Sequence, residues 1–203
     1  MTASEADTRG PVVSVPESDV EVALRPAWQA DMRTWGRVRH PTTTVAASRS
    51  TWQATMRAEQ MFATMTRLDR ATQALLCLYV SMLNGCRYCL DDAAGGAQDA
   101  GVSAEQMLAV ADPDTDLLDA RTRAALRYAY WVAMAAPDIP NDVIAELRRF
   151  VDDEEFLEIT VVISMKCFWN RFATALRIPP EGRCTDPGLF RDLVDLSARL
   201  RGG

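Results

Sequence analysis

The chain has 203 residues, enough for one well-buried core, and its composition gives no reason to expect a second domain. No apolar run reaches the roughly 18 residues that span a bilayer, and the net charge of -6 without a basic stripe argues against a nucleic-acid partner. Because residues 1–20 contain no secretory or transit pattern, we expect a soluble cytoplasmic protein with no membrane association.

The first segment, residues 1–16, is polar and interrupted by prolines, which predicts a disordered or loosely attached arm. From residue 17 to 203 the apolar spacing is helical and no stretch alternates like a strand, so the fold class is all-α, a helical bundle in a single domain. The predicted helices are 18–36 (bent near Pro26), 41–64, 67–84, 86–100, 103–111, 116–136, 141–151, 153–178 and 187–200.

Some helix starts follow from capping patterns. Ser103 and Gln106 have the spacing of a capping box, and Asn141 after a proline is a candidate N-cap. The most apolar segments, 70–84 and 156–176, are expected at the centre of the bundle. The cysteine motif that follows the first of these segments is therefore expected at the edge of the core.

The motif Asn84-Gly85-Cys86-Arg87-Tyr88-Cys89 is the most informative feature of the chain. On a helix, Cys86 and Cys89 lie on one side and close enough for a disulfide. If Gly85 ends the preceding helix, free backbone amides and the helix dipole would stabilise a thiolate at Cys86. Such a thiolate can attack a peroxide or exchange with a disulfide, and the second cysteine resolves the product. The alternative is that both are small apolar residues in a helix seam.

The remaining cysteines, Cys77, Cys167 and Cys184, are expected to be structural thiols in a reducing compartment. Zinc needs four ligands, and the chain offers no second Cys-x-x-Cys and a single histidine, His40. We therefore expect neither a metal nor a cofactor. His40 precedes a proline and is expected on the surface at a helix start.

Two carboxylates follow the dithiol. Asp92 lies about 60° around an ideal helix from Cys89 and could serve as a base. The favoured interpretation is that Asp91 and Asp92 only stabilise the first turns of the helix.

Five small residues, Ala93-Ala94-Gly95-Gly96-Ala97, come next. Two glycines inside a helix cost about 2 kcal/mol relative to alanine, which calls for a compensating reason. Either another backbone approaches closely there, or the missing side chains leave a cavity beside Cys86, whose face Ala93 and Ala97 share.

A polar stripe of Lys166, Asn170 and Arg177 interrupts the long apolar segment near the C-terminus. The favoured interpretation is a solvated helix edge. The alternative is an anion-binding or hydrogen-bonding group beside a pocket.

Five segments carry a resemblance to a known family: His40-Pro41, Leu83-Asn84-Gly85-Cys86-Arg87-Tyr88-Cys89, Ala100-Gly101-Val102-Ser103, Leu126-Arg127-Tyr128-Ala129 and Trp169-Asn170-Arg171. With these residues the chain resembles the alkylhydroperoxidase AhpD-like superfamily, which includes the carboxymuconolactone decarboxylases. The resemblance implies an AhpD-like all-α fold and a homo-oligomer with the dithiol in a pocket near subunit contacts. It also implies a thiol reductant protein as a possible partner.

Redox members of this family have a histidine four residues after the second cysteine and a glutamate twelve residues before the first. Those positions are Ala93 and Ala74 here, so the usual proton relay is absent while both cysteines remain. Losing a positioned acid–base group typically costs about 10²- to 10⁴-fold in rate. The catalytic residues expected are Cys86, Cys89 and Asp92, and those expected to line a substrate pocket are Ala74, Tyr88, Ala93, Ala97 and Asn170.

Three functions remain open at this point. The first is a thiol-dependent oxidoreductase that reduces a peroxide or a disulfide. The second is a small-molecule isomerase, lyase or cyclase that uses the space at the alanine positions. The third is a non-catalytic binding protein on the same scaffold.

Overall fold

The computed structural model describes residues 11–12, 15–112 and 114–202. Within these ranges the chain forms ten α-helices and three short 3-10 turns with no strand, which confirms the all-α single-domain prediction. The helices are α1 (Arg25–Trp35), α2 (His40–Val45), α3 (Arg49–Thr64), α4 (Arg70–Asn84), α5 (Arg87–Asp99), α6 (Ala104–Ala109), α7 (Ala120–Ala135), α8 (Asn141–Arg148), α9 (Asp153–Ala175) and α10 (Pro187–Gly202).

The N-terminal third differs most from the predicted helices. Most of the arm predicted at 1–16 lies outside the described residues, although the N–H of Val15 donates to the carbonyl of Thr43 at 3.1 Å. The helix predicted at 41–64 is broken into α2 and α3, because the Ser48 hydroxyl caps α3 by accepting the N–H of Thr51.

Later helix boundaries follow the local signals more closely. The capping box between Ser103 and Gln106 is present at the start of α6. The N-cap predicted at Asn141 is wrong by one residue, since Pro140 is the cap and Asn141 is already helical. The helix predicted to reach residue 178 ends at Ala175, because Arg177 adopts a left-handed conformation with φ 51°.

Helix α4 lies at the centre of the bundle, in contact with α5, α7, α9 and α10. Its inner side chains, among them Leu78, Val80 and Met82, are completely buried. Helix α9 packs on α4, α5 and α7 and buries Ile159, Val162 and Ile163, but it leaves other apolar side chains exposed. The prediction of a central position is therefore confirmed for α4, whereas α9 has one inner and one outer face. No described helix combines the length and the apolar character needed to cross a lipid bilayer.

Candidate active site

A tight turn between α4 and α5 positions the dithiol. Gly85 ends α4 with φ +67°, a left-handed conformation that glycine adopts without strain, and its N–H donates to the carbonyl of Met82 at 3.1 Å. The guanidinium of Arg201 lies where a side chain at this position would project, 2.6 Å from the place of a Cβ. The chain therefore reverses at Gly85, as the sequence predicts, and presents Cys86 as the N-cap of α5, which begins at Arg87, one residue after the predicted start at residue 86.

Cys86 and Cys89 are joined as a disulfide across the first turn of α5, with their Cα atoms 5.3 Å apart. The Cys86 sulfur also accepts the N–H of Cys89 at 3.3 Å. Both side chains are buried, in a small cluster with Ala173 and Ile178. The spacing argument for a disulfide is thus confirmed.

A cavity of about 830 Å³ lies beside the dithiol. Cys89 lines it, whereas Cys86 is not among the described residues in its wall. Its volume is within the range of about 300–1,000 Å³ that is usual for sites binding drug-sized molecules. Among the described residues, no group of three or more His, Cys, Asp and Glu side chains could hold a metal ion.

Besides Cys89, four of the predicted site residues line this cavity: Ala74 on α4 and Tyr88, Asp92 and Ala93 on α5. The prediction for Ala97 is wrong, because its side chain is completely buried in the main core. The error came from taking the face of Cys86 as the cavity face. The cavity follows Cys89 instead, and the next small residue on that face is Gly96.

Asn170 is also misplaced by the sequence prediction. It is buried between α9 and α4, where its amide donates to the carbonyl of Val80 at 3.0 Å and its oxygen accepts the hydroxyl of Ser81 at 3.3 Å. It therefore fixes the packing of two helices and does not line the cavity.

Lys166 contradicts the favoured interpretation of the polar stripe as a solvated edge. Its side chain is only 8% exposed, it lines the cavity, and its Nζ lies 3.9 Å from Oδ2 of Asp92. Asp92 therefore faces the cavity and an ion-pair partner, so it does more than stabilise the first turn of its helix. Sequence reasoning raised a pocket role for Lys166 as the alternative, and the position of the side chain agrees with that alternative.

The dithiol and this ion pair are successive contacts between α5 and α9. The Cys89 sulfur lies 3.7 Å from the carbonyl oxygen of Trp169. Asp92 comes three residues after Cys89 on α5, and its partner Lys166 comes three residues before Trp169 on α9. Residues three apart on a helix are neighbours on its surface. The ion pair therefore lies a little less than one helical turn, about 4.5 Å along the axis, beyond the cavity-facing sulfur.

Asp91 has a structural role that the sequence did not predict. Its side chain is completely buried, Oδ2 accepts the backbone N–H groups of Glu181 at 2.8 Å and Arg183 at 3.0 Å, and Oδ1 accepts that of Cys184 at 3.0 Å. The interpretation that Asp91 only stabilises its own helix is therefore wrong. It holds the loop at 176–186, from which Ile178 and Arg183 reach the cavity.

The same loop is tied to the N-terminal part of the chain. The buried Glu181 carboxylate accepts the N–H of His40 at 2.7 Å and pairs with Arg37 at 3.0 Å. His40 begins α2 and is 41% exposed, which confirms its predicted surface position. The imidazole Nδ1 lies 3.3 Å from the carbonyl oxygen of Pro179, outside the cavity wall.

Arg39 and Glu59 also line the cavity, and the sequence predicted neither of them. Arg39 pairs with Asp31 at 3.0 Å and Glu59 at 2.9 Å. Burial works against the charged form, yet the ion pair with Glu59 raises the pKa of Arg39 above its usual range. Burial, followed by the charge of Asp92, raises the pKa of Tyr88 well above its usual range, so that its hydroxyl stays protonated at neutral pH.

Cys77 is a third thiol at this site, although the sequence favoured a structural role for it. It is half-buried on α4 and lines the cavity, with Lys166 and Asp92 close enough to affect its ionisation. Burial raises the pKa of the Cys77 thiol above its usual value. A single cysteine in an apolar helix carried no signal that would have separated this position from Cys167.

The model of the carboxymuconolactone decarboxylase family matches residues 50–131, a segment that includes the dithiol. A Mycobacterium tuberculosis relative, Rv2313c, is 35% identical over 115 residues; the match covers 56% of this chain and 40% of that protein.

Solved structures share the fold over most of the chain. A peroxidase-related protein from Ralstonia eutropha with an alkylhydroperoxidase AhpD core superposes with a TM-score of 0.71 and 20% identity over 88% of this chain and 93% of its own. The debrominase Bmp8, in a cysteine-to-alanine variant bound to 2,3,4-tribromopyrrole, gives a TM-score of 0.76 and 18% identity over 90% and 97%. This chain is thus similar to the carboxymuconolactone decarboxylase family over residues 50–131, and it shares the all-α fold of alkylhydroperoxidase AhpD-like proteins.

Proposed function

We propose that the chain is a thiol-dependent oxidoreductase that reduces a small organic substrate with the Cys86–Cys89 pair. One observation carries the proposal: Cys89 lines a cavity of about 830 Å³ and is bonded to Cys86, which lies behind it. In this arrangement one sulfur meets the substrate and the second is already within bonding reach. The superfamily, with a peroxidase-related protein and a debrominase among the structural neighbours, supports a redox role.

A hydroperoxide is the substrate that the resemblance favours. The Cys89 thiolate attacks the terminal oxygen, the O–O bond breaks, and the leaving alkoxide takes up a proton to give an alcohol and a sulfenic acid on Cys89. The Cys86 thiol then attacks that sulfur, which forms the disulfide and releases water. Two electrons from the dithiol reduce the peroxide, and an external thiol protein or small dithiol must restore the reduced pair.

The proposal assigns Cys89 as the attacking sulfur, although the helix dipole alone favours Cys86. Accessibility from the cavity decides between them, because a substrate in the cavity meets Cys89 first.

Proton transfer falls to Asp92 in this proposal. The positions of the family's glutamate and histidine, Ala74 and Ala93, line the cavity with methyl groups only. Asp92 lies one turn beyond Cys89 and is held near Lys166, so it is the carboxylate best placed to exchange protons with bound substrate. Asp92→Asn should lower the rate of dithiol oxidation by about 10²-fold or more, measured by stopped-flow with excess hydroperoxide.

The decisive experiment follows a single turnover of the reduced protein with cumene hydroperoxide. Wild-type protein should form one Cys86–Cys89 disulfide per hydroperoxide consumed, detected by alkylation and mass spectrometry. Cys86→Ser should still consume one equivalent and leave a sulfenic acid on Cys89 that dimedone traps. Cys89→Ser should consume none above the uncatalysed rate.

A matched control is Cys167→Ser, because Cys167 is half-buried like Cys77 but lies outside the cavity wall. This variant should behave as wild type. Undiminished turnover in Cys89→Ser would refute the proposed mechanism, and so would a disulfide that never forms under any of the peroxides tested.

A second function, an isomerase, lyase or cyclase, is favoured by one observation. Ala74 and Ala93 both line the cavity, so the space of the missing relay belongs to the binding volume. In that case product would form without any change in thiol state and Ala93→Phe would block binding. A protein that binds ligands but consumes no substrate under any reductant would instead be a binding protein.

We also propose that the chain forms a homo-oligomer. Apolar side chains are exposed on two neighbouring helices, at Tyr130 and Met134 on α7 and at Leu157 and Phe168 on α9. Single apolar side chains on a surface are ordinary, but a group of them is typical of an interface. Light scattering should give a mass above one chain, and Leu157→Lys should lower it.

A further inference from the structure

The Lys166 side chain is largely buried, and among the described residues no acceptor lies within hydrogen-bonding distance of its ammonium group. Its side chain is 8% exposed, and among the described residues its one charged neighbour is Asp92, with 3.9 Å between Nζ and Oδ2. That separation is beyond a hydrogen bond, so the donors of Nζ have no acceptor in the described part of the chain. A buried charge is costly unless it is paired and hydrogen-bonded, and the free donors face the cavity that Lys166 lines.

Three arginines also line the cavity, and none of them is comparable with Lys166: Arg70 is exposed to solvent, and the other two are engaged by carboxylates. Arg39 is held by Asp31 and Glu59, and Arg183 is held by Asp99 on the outer side of the loop. Glu59 is thereby neutralised by Arg39. Among the described residues, Lys166 is thus a largely buried cation of the cavity wall whose N–H donors are available to hydrogen-bond a ligand.

Aromatic side chains line the part of the cavity between Lys166 and the dithiol. Trp169 lies one turn from Lys166 on α9 and packs edge-on against Phe172, with ring centroids 5.7 Å apart. Both rings line the cavity, and Tyr88 and Phe62 contribute to other parts of its wall. A planar apolar body would be well accommodated among these rings, since aromatic pairs favour offset or edge-to-face contacts.

We infer that the cavity binds an aromatic carboxylate, with its acid group on the Lys166 ammonium and its ring beside Trp169 and Phe172. This inference names the substrate class of the proposed oxidoreductase and rests on that proposal for its catalytic meaning. In such a substrate the hydroperoxide group, whose O–O bond the dithiol reduces, would lie next to the Cys89 sulfur, about 4.5 Å along the helix from the acid. Hydrogen peroxide, which has neither an acid nor a ring, would use none of these contacts.

Asp92 does not oppose this binding mode. The Lys166 ammonium has three donors, so it can hydrogen-bond a bound carboxylate while it stays close to Asp92. Because Asp92 is 45% exposed on its side chain, its own charge is partly screened.

The test is binding alone, measured calorimetrically on the Cys86→Ser/Cys89→Ser double variant, which cannot carry out dithiol chemistry. The probes are 2-naphthoate and its neutral counterpart, 2-naphthamide, which have the same ring and nearly the same shape. Naphthoate should bind about tenfold or more tightly than the amide, the gain expected of a charge-assisted hydrogen bond. Octanoate, an acid without a ring, should bind more weakly than naphthoate.

Variants at Lys166 assign the difference to that residue. On the same double-serine background, Lys166→Met should remove the preference for the acid and leave amide binding unchanged, and Lys166→Arg should restore part of the preference. Arg171→Met is the matched control: it removes an exposed cation from the same helix, outside the cavity wall, and should change nothing.

Equal affinities for acid and amide in the protein with Lys166 intact would overturn the inference, as would an acid preference that survives Lys166→Met. No binding of either probe at millimolar concentration would also overturn it. These outcomes are independent of redox chemistry. If the double variant binds the acid selectively but the dithiol of the wild-type protein never cycles, the proposed function is wrong and the inferred ligand class still holds.

Discussion

Two adjacent glycines on α5 provide a sharp test of the structure, because they face different surroundings. A Cβ at Gly95 would lie 2.6 Å from the carbonyl oxygen and 2.9 Å from the carbonyl carbon of Arg183, and even closer to that residue's Cγ. A Cβ at Gly96 would meet nothing within 4 Å. Gly96→Ala should therefore give a more stable protein than Gly95→Ala.

The magnitude follows from two contributions. Replacing a glycine inside a helix by alanine gains about 1 kcal/mol, and this gain is common to both variants. Only Gly95→Ala also forces a backbone contact, and overpacking of this kind costs about 1–3 kcal/mol. The loop cannot simply retreat, because the N–H of Arg183 is held by Asp91 at 3.0 Å. Gly96→Ala should thus raise the free energy of unfolding by up to about 1 kcal/mol, and Gly95→Ala should fall below it by about 1–3 kcal/mol.

Urea unfolding followed by far-UV circular dichroism, with the disulfide intact in both variants, measures this difference directly. A local readout is trypsin cleavage after Arg183, which should be faster in native Gly95→Ala than in Gly96→Ala. If the Gly95→Ala protein is as stable as Gly96→Ala or more so, the close approach of the loop to α5 is wrong.

Three further predictions concern single side chains. Asp91→Asn should lower the free energy of unfolding by about 2 kcal/mol or more, because three backbone N–H groups lose a charged acceptor. The control Asp195→Asn, at an exposed position, should change it by less than about 0.5 kcal/mol, with both measured by urea titration. Asp119→Ala should cost about 1 kcal/mol at pH 7 by removing the N-cap of α7. Burial would raise the pKa of Asp119, but hydrogen bonds from Thr122 hold that pKa below its usual range. The carboxylate therefore stabilises the fold at neutral pH. The difference in unfolding free energy between wild type and Asp119→Ala should shrink as the pH falls below about 4 and through the lowered pKa of the folded state. The raised pKa of Cys77 keeps its thiol protonated, so iodoacetamide at pH 8 should alkylate it several-fold more slowly in the native protein than in urea; equal rates would contradict its burial.

Local patterns in the sequence were sufficient for the fold class and for the geometry of the dithiol. The turn at Gly85 and the N-cap at Cys86 depend on residues that are neighbours in the chain, and the spacing to Cys89 follows from helix geometry alone. The same holds for the capping box at Ser103. Such features are predictable because the interactions that fix them span only a few residues.

The polar side of the site depends on contacts between distant residues. Lys166 meets Asp92 only because α5 and α9 run antiparallel past each other, a register that neither segment encodes alone. Asp91 likewise finds its partners some ninety residues away, in the loop at 181–184. The periodicity of α9 shows where a polar residue interrupts an apolar face. It does not say whether that residue faces solvent or a cavity.

Helix α5 shows how one short segment serves three surroundings. Successive residues are turned by about 100°, so neighbours diverge and residues four apart return to nearly the same face. Asp91 and Gly95 face the loop at 181–184, while Asp92 and Gly96 line the cavity.

The remaining face of α5, with Leu90, Ala94 and Ala97, is buried in the main core. The two explanations for the paired glycines, close packing and a cavity, are therefore both correct, each for one of them. The two aspartates divide in the same way, one holding the wall of the cavity and the other facing its interior. A substitution on one of these faces should affect either stability or chemistry, and only residues at their borders, such as Ala93, should affect both.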